Sequence, residues 1–212
     1  FKYNSHNFKE IVFSEYVSYK NILMCLIIFG LFLTVGSSLD VVVSQLFYLG
    51  NSQFYLQSFD YITLFFRDIL LPSILIYMLI IPLLGKYLNL KYLYFGHSFK
   101  IKEILLIWSS QFITILIFIN LILKNLWGRS RPGETLEFGG DNIFTPWYKY
   151  SDICVSNCSF VSGDSSVGFS LVVLYFITKN SLFLYASLVL GFSLGLIRIM
   201  EGGHYLSDVL FS

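Results

Sequence analysis

Charge is what this sequence has least of. Asp, Glu, Lys and Arg make up only 13% of its 212 residues, against 56% hydrophobic and 19% aromatic, with a mean hydropathy of +0.70. A soluble domain carries about 25% charged residues, so the composition excludes one and makes a lipid bilayer the solvent. A net charge of +1, from basic residues that are few and scattered, excludes a nucleic-acid partner. Cysteine and histidine are equally scarce, three of each, and no pair stands at zinc-ligand spacing with two more ligands nearby. No internal repeat or low-complexity linker divides the chain, so residues 1–212 read as a single domain.

Long apolar runs are present instead. A spanning helix needs about 20 mostly apolar residues, and five stretches qualify or nearly so: Ile22 to Gly36, Ile69 to Leu84, Ile104 to Leu123, Val167 to Thr178 with its upstream turn, and Leu182 to Ile197. A further apolar run begins at Tyr205 and reaches Ser212, which implies a sixth span cut off there. The expected fold is therefore all-α, a polytopic integral membrane bundle of six spans with the sixth truncated. The first twenty residues mix charge and aromatics instead of presenting a basic region and an apolar one, so the first span is expected to act as its own insertion signal. Phe1 to Lys20 and Asn51 to Arg67 are candidates for interfacial segments. Tyr87, Tyr92 and Tyr94 suit an aromatic belt at a membrane face.

Lysine and arginine placement sets the orientation. With a cytoplasmic N-terminus, the inner side holds Lys2, Lys9, Lys20, Lys86, Lys91, Lys100, Lys102 and Lys179, and the outer side Arg67, Lys124, Arg129, Arg131, Lys149 and Arg198. Setting aside Lys124, Arg131 and Arg198, which are candidates for a site, leaves eight against three in favour of this topology. Cys154 and Cys158 then fall in an outer loop, where a disulfide can form, with unpaired thiols as the alternative. Cys25 falls inside the first span as packing. The long loop from Gly133 to Cys158 reads equally as a substrate-contacting segment or as a solvated connector.

Against this apolar background, polar residues cluster at span ends, where their solvation cost calls for a function. If the third span continues through Lys124, then Lys124 and Arg131, seven apart, share a helical face, and Pro132 stops the helix. Ser162-Gly163-Asp164 opens the fourth span. Its free N–H groups would suit an anion, although Ser162 equally suits a plain helix cap. His204 and Asp208, four apart, share a face of an expected helix, so the carboxylate can fix one imidazole nitrogen and leave the other free to attack. Gly202-Gly203 supplies a bend that turns Arg198 toward them. Each cluster alone has an ordinary structural reading. All three stand at the same end of their spans under the topology that the lysine bias prefers, and together they describe a phosphoryl pocket.

Lys124-x6-Arg131-Pro132, Ser162-Gly163 and Arg198-x5-His204-x3-Asp208 resemble the three signature motifs of the type 2 phosphatidic acid phosphatase (PAP2) superfamily. The stretches Trp127 to Pro132, Asn157 to Ser166 and Gly202 to Asp208 are similar to its bacterial lipid A 4'-phosphatase branch. The resemblance implies that His204 is the nucleophile and forms a phosphohistidine, that Asp208 orients it, and that Lys124, Arg131, Arg198, Ser162 and Gly163 bind the phosphate. It implies no cofactor and no metal. Two positions depart from the family pattern. Asp164 stands where the second motif usually carries the His that protonates the leaving group, which makes Asp164 the candidate acid, and Ile197 stands where Ser usually precedes the last Arg. The implied partners are a membrane lipid-phosphate substrate and the bilayer, and the implied location is the bacterial inner membrane with the site facing the periplasm. Polyprenyl-diphosphate and phosphatidylglycerophosphate phosphatases, and a non-catalytic lipid-phosphate binder or transporter, are the alternatives.

Overall fold

The computed structural model describes residues 24, 36–88 and 94–212. Apart from Met24 and Gly36, the expected interfacial segment Phe1 to Lys20 and first span Ile22 to Gly36 lie outside the described residues, as does Tyr92. The chain divides into a unit of residues 1–39 and a unit of residues 40–212, and the second of these carries the polar clusters.

Within the second unit three helices are long and apolar enough to cross a membrane: α1 (Tyr61–Tyr87), α2 (Ile101–Leu126) and, after the shorter apolar α3 (Gly163–Thr178), α4 (Ser181–Met200). Their mean hydropathies are 2.1, 2.1 and 2.0. At 1.5 Å per residue the shortest of the three is about 30 Å long, the thickness of a hydrocarbon core. A fifth helix, α5 (Leu206–Leu210), opens just before the chain ends. The architecture is a mostly helical one compatible with a membrane bundle, and the described residues hold three spanning helices against the six spans expected. A small antiparallel hairpin, β1 (Tyr48–Gly50) with β2 (Gln53–Phe54), is the only sheet among them.

The outward face of α2 carries Leu105, Leu106, Phe112, Ile113, Leu116, Phe118 and Leu121, all exposed. A continuous apolar surface of that kind fits a helix that faces lipid. Inside, Ile74 and Met78 of α1, Ile107 of α2, Val167, Leu171 and Leu174 of α3 and Leu194 of α4 form one core. The helix ends are sorted. The α1–α2 connection and the α3–α4 turn meet at one end, where Tyr94 lies 6.0 Å from Phe183 by ring centroids. Lys179 there takes a left-handed conformation, and Asn180 caps α4 through the Leu182 amide. The opposite end collects the polar clusters.

Two expectations change. The second span begins at Tyr61 rather than Ile69, so residues 61–67 belong to the spanning helix and not to an interfacial segment. The charge of Arg67 interrupts the apolar run, yet its Nε lies 3.7 Å from Asp164 Oδ2, a counter-charge from another helix. Tyr94 is not a belt residue, because it is buried and donates its hydroxyl to the Tyr77 carbonyl at 2.8 Å.

α3 and α4 cross with backbones in contact. A Cβ built on Gly168 would lie 2.6 Å from the Gly191 nitrogen and 2.7 Å from its Cα, closer than any side chain permits. This crossing holds the Ser162 end of α3 against the Arg198 end of α4. Gly168→Val is therefore expected to destabilise the bundle by about 1–3 kcal/mol through overpacking, read as a lower thermal midpoint in detergent. An unchanged midpoint would show that the crossing is looser than described.

Candidate functional site

α2 ends at Leu126, and Gly128 at φ +72° stops it in the manner of a left-handed C-terminal glycine. Arg131 is thus not on the helix. Its backbone is extended, as the cap of a short turn Pro132–Glu134, so Lys124 and Arg131 do not share a helical face as the seven-residue spacing suggested. They approach one another by a different route, since Lys124 closes α2 and the loop doubles back. Arg131 is held there by two hydrogen bonds to the Asn157 carbonyl, 3.3 Å from Nε and 2.8 Å from Nη2. The adjacent Cys158 amide donates to the Lys124 carbonyl at 2.9 Å. Cys154 and Cys158 are joined in a disulfide, so the 133–158 loop is clipped beside Arg131. This loop is packed rather than freely solvated: Phe138 is buried with Phe54 and Tyr205.

Ser162 caps α3, its hydroxyl 3.5 Å from the Ser165 amide, so the helix-cap reading of that residue holds. Gly163 follows, and a Cβ there would lie 3.2 Å from Lys124 Nζ. The ammonium therefore sits over the first turn of α3. Asp164, in that same turn, lies 3.4 Å from Arg198 Nε through Oδ2. Charges that act on Lys124 are those of Arg131, Asp164, Arg198 and Arg67.

His204 also reaches the site by a route other than the expected one. α5 begins at Leu206, so His204 precedes the helix, and Asp208, at its third position, reaches back to the Tyr205 amide at 2.8 Å. The imidazole Nδ1 nevertheless lies 3.6 Å from Asp208 Oδ2, a long contact of the kind that tightens in a reacting complex. The glycine bend works as expected: the Gly203 amide bonds the Arg198 carbonyl at 2.9 Å, and a Cβ on Gly203 would fall 2.7 Å from Arg198 Nη2. Arg198 pairs in addition with Glu201.

Electrostatics follow from this packing. Burial drives the His204 pKa down to about 4, with Asp208 pulling it up and Arg198 and Arg131 pushing it down further. The imidazole is therefore neutral at pH 7, the form that has a lone pair to give. Burial and neighbouring Arg198 also lower the pKa of Arg131. Asp164 Oδ2, Arg198 Nε, Glu201 Oε1 and His204 Nδ1 are all buried without a hydrogen bond among the described residues. Such atoms are rare in folded proteins; here Asp164 Oδ2 meets Arg198 Nε at 3.4 Å and His204 Nδ1 meets Asp208 Oδ2 at 3.6 Å, ion contacts longer than good hydrogen bonds.

Four groups here escaped the sequence reading. Arg129 is fully buried, where it had been counted as an outer-loop cation. Its Nη1 lies 2.5 Å from Asp208 Oδ1 and its Nη2 2.7 Å from Asp40 Oδ2. Ser159 donates to Asp208 Oδ2 at 2.5 Å, and Glu201 holds Arg198. The signal for Arg129 and Asp40 was present as two ionisable residues beside apolar runs with no stated use.

A family model, that of the PAP2 superfamily, matches residues 105–212. The chain belongs to the PAP2 superfamily. That match contains every candidate site residue read from the sequence and leaves Asp40 and Arg67 outside it. The chain is 44% identical over 97 residues to a lipid A 4'-phosphatase of Francisella tularensis subsp. novicida. It is 39% identical over 97 residues to one of Rhizobium leguminosarum and 41% over 96 to one of Rhizobium etli. Each alignment covers 44% of this chain, and 44%, 42% and 37% of the respective relatives, so the chain matches less than half the length of each. No solved structure matches it.

The depressed His204 pKa gives a direct check. In the ligand-free protein, NMR of labelled histidine should show one imidazole, lost in His204→Gln, that titrates well below 6.5. Because the folded pKa lies below the unfolded one, the sign of linkage is fixed: this group's stability contribution is complete above about pH 6.5 and is lost as pH falls toward about 4. A midpoint at or above 6.5 would contradict the buried, neutral imidazole.

Proposed function

We propose that this PAP2 protein is a phosphoric monoester hydrolase of the membrane, which removes phosphate from a lipid-linked substrate, the 4'-phosphate of lipid A, through a phosphohistidine formed on the periplasmic side of the inner membrane. The observation that carries the reading is a neutral buried imidazole, backed by a carboxylate, in the electrostatic reach of Arg131 and Arg198. The names of the relatives support the substrate, and the bias of lysines toward the opposite helix ends supports the orientation.

In the proposed reaction Lys124, Arg131, Arg198 and the N–H groups at the start of α3, capped by Ser162 and opened by Gly163, bind the phosphate oxygens. Phosphoryl transfer is catalysed mostly by such positioning and charge neutralisation. His204 Nε2 forms a bond to phosphorus as the bond from phosphorus to the substrate oxygen breaks. Asp164 passes its proton to that leaving oxygen. Asp208 holds Nδ1–H and stabilises the positive charge that develops on the ring. Water then attacks phosphorus, gives its proton to Asp164, and frees inorganic phosphate and neutral His204. Glu201 and Asp164 occupy Arg198 in the resting state, and an incoming phosphate takes their place.

Phosphate release from purified full-length protein, measured on lipid A, prenyl diphosphates and phosphatidic acid, tests the reading. Lipid A is expected to be the preferred substrate, with His204→Ala abolishing turnover and chelators leaving it unchanged. Asp164→Asn should lower kcat by roughly 10²–10⁴-fold, the range for a lost general acid. Near-normal turnover of Asp164→Asn would remove Asp164 from the acid role. Tight binding of lipid phosphate with no phosphate release would favour the binder or transporter alternative.

A further inference from the structure

Arg129 lies between two carboxylates in a site with no exposed surface. Asp40, Arg129, Ser207 and Asp208 are each fully buried. The guanidinium uses all three nitrogens: Nε donates to the Thr145 carbonyl at 2.9 Å, Nη1 to Ser207 Oγ at 2.8 Å and Asp208 Oδ1 at 2.5 Å, and Nη2 to Asp40 Oδ2 at 2.7 Å. Its plane is covered by Tyr205 at 4.2 Å and flanked by Phe144 at 5.5 Å from the ring centroids. A buried Arg is tolerated only when its donors are used and its charge is met, and both conditions hold here. Burial lowers the Arg129 pKa, and Asp208 and Asp40 more than reverse that, so the group stays charged.

The geometry continues on both sides. Asp40 accepts the Ser207 amide through Oδ1 at 2.8 Å and the Ser207 hydroxyl through Oδ2 at 2.6 Å. This ties residues 40–45, a helical segment far from the family motifs in sequence, to the start of α5. On the other side Asp208 commits Oδ1 to Arg129, while Oδ2 accepts from Ser159 and the Tyr205 amide and faces His204 Nδ1. The carboxylate that faces the imidazole is thus held through both oxygens, and Arg129 supplies the charged hold, on Oδ1, while Ser159 and the Tyr205 amide hold Oδ2.

We propose that Arg129 and Asp40 are positioning residues for the attacking imidazole: Arg129 clamps the Asp208 carboxylate toward His204, and Asp40 fixes the far end of the Arg129 fork. The kinetic consequence rests on the phosphatase reading above, whereas the structural consequence does not. The charged groups that act on His204 are Asp208 from α5, Arg198 from α4 and Arg131 from the loop after α2. Of these only Asp208 touches Arg129.

The test uses Arg129→Lys, which keeps the charge and loses the fork, and Asp40→Asn, which keeps the shape and loses the charge. Both are made in the full-length protein, with folding checked by circular dichroism and monodispersity in detergent. Arg129→Lys is expected to lower kcat on lipid A at least tenfold with KM changed less than about twofold, and Asp40→Asn to lower kcat about fivefold. In the ligand-free protein, Arg129→Lys should move the His204 NMR titration to higher pH, because Asp208 then acts on the imidazole with its charge less shared. That arm needs no turnover: a shifted titration in a protein that releases no phosphate would support the clamp and overturn only the phosphatase reading. Folded variants that both keep the wild-type kcat and His204 titration would overturn the clamp, even if their thermal midpoints fall. If Arg129→Lys does not fold, wild-type kcat/KM and titration in Asp40→Asn overturn it alone.

Discussion

Like charges held together in an apolar bundle are what the rest of this structure must accommodate. Arg131, Arg198 and Arg67 act on Lys124, and Arg198 and Arg67 act on Arg131. Two unit charges at 4 Å interact by about 4 kcal/mol at an effective dielectric near 20, so such a cluster disperses unless each member is tethered. The tethers are specific. Asn157 holds Arg131, Glu201 and Asp164 hold Arg198, and the first turn of α3 lies under Lys124. Their anchors are mostly backbone carbonyls and carboxylates that a phosphate could displace or join, so the arrangement resists dispersal without being neutralised.

The tethers in turn depend on where helices stop. Gly128 ends α2 one turn beyond Lys124, which frees the next residues to double back. Gly202 and Gly203 end α4 just beyond Arg198 and lay the Gly203 backbone against its guanidinium, with the Gly203 and His204 amides on the Arg198 carbonyl. The Gly168–Gly191 crossing then fixes α3 against α4, so the helix start carrying Asp164 and the helix end carrying Arg198 meet in register. Small residues at these points set the geometry that the charged residues use. This is the usual division of labour in membrane bundles, where close backbone approach replaces hydrophobic driving force.

Much of this was readable from residue spacing, and the failures have physical causes. The apolar runs marked α2 and α4 to within a few residues, because hydropathy is a direct record of lipid contact. The clusters around Lys124, Asp164 and His204 were legible because polar residues in such runs are costly and therefore meaningful. Both helix-face arguments failed, although their members do converge. A spacing of seven or four implies a shared face only if the helix runs through it, and Gly128 and the Gly202-Gly203 pair were stop signals that outweighed the periodicity. Arg129 and Asp40 were each visible as ionisable residues beside apolar runs, but not as a pair, since they stand 89 residues apart. Only the fold brings such groups together, and Arg129 looked like one more loop cation until its burial was known.

Two aspartates at one site carry opposite environments, and this separates their roles more firmly than sequence position does. Asp208 is fully buried and saturated: one oxygen faces a guanidinium, the other a serine, a backbone amide and an imidazole. Every neighbour donates or carries positive charge, so this carboxylate is fixed as an acceptor and cannot deliver a proton. Asp164 has a side chain 22% exposed and no hydrogen bond to Oδ2, with only ion contacts to Arg198 and Arg67. Arg198 is also one of the groups proposed above to bind the phosphate. Here Arg129 holds one aspartate in a fully buried ion pair, while the other meets Arg198 and Arg67 at a partly exposed position.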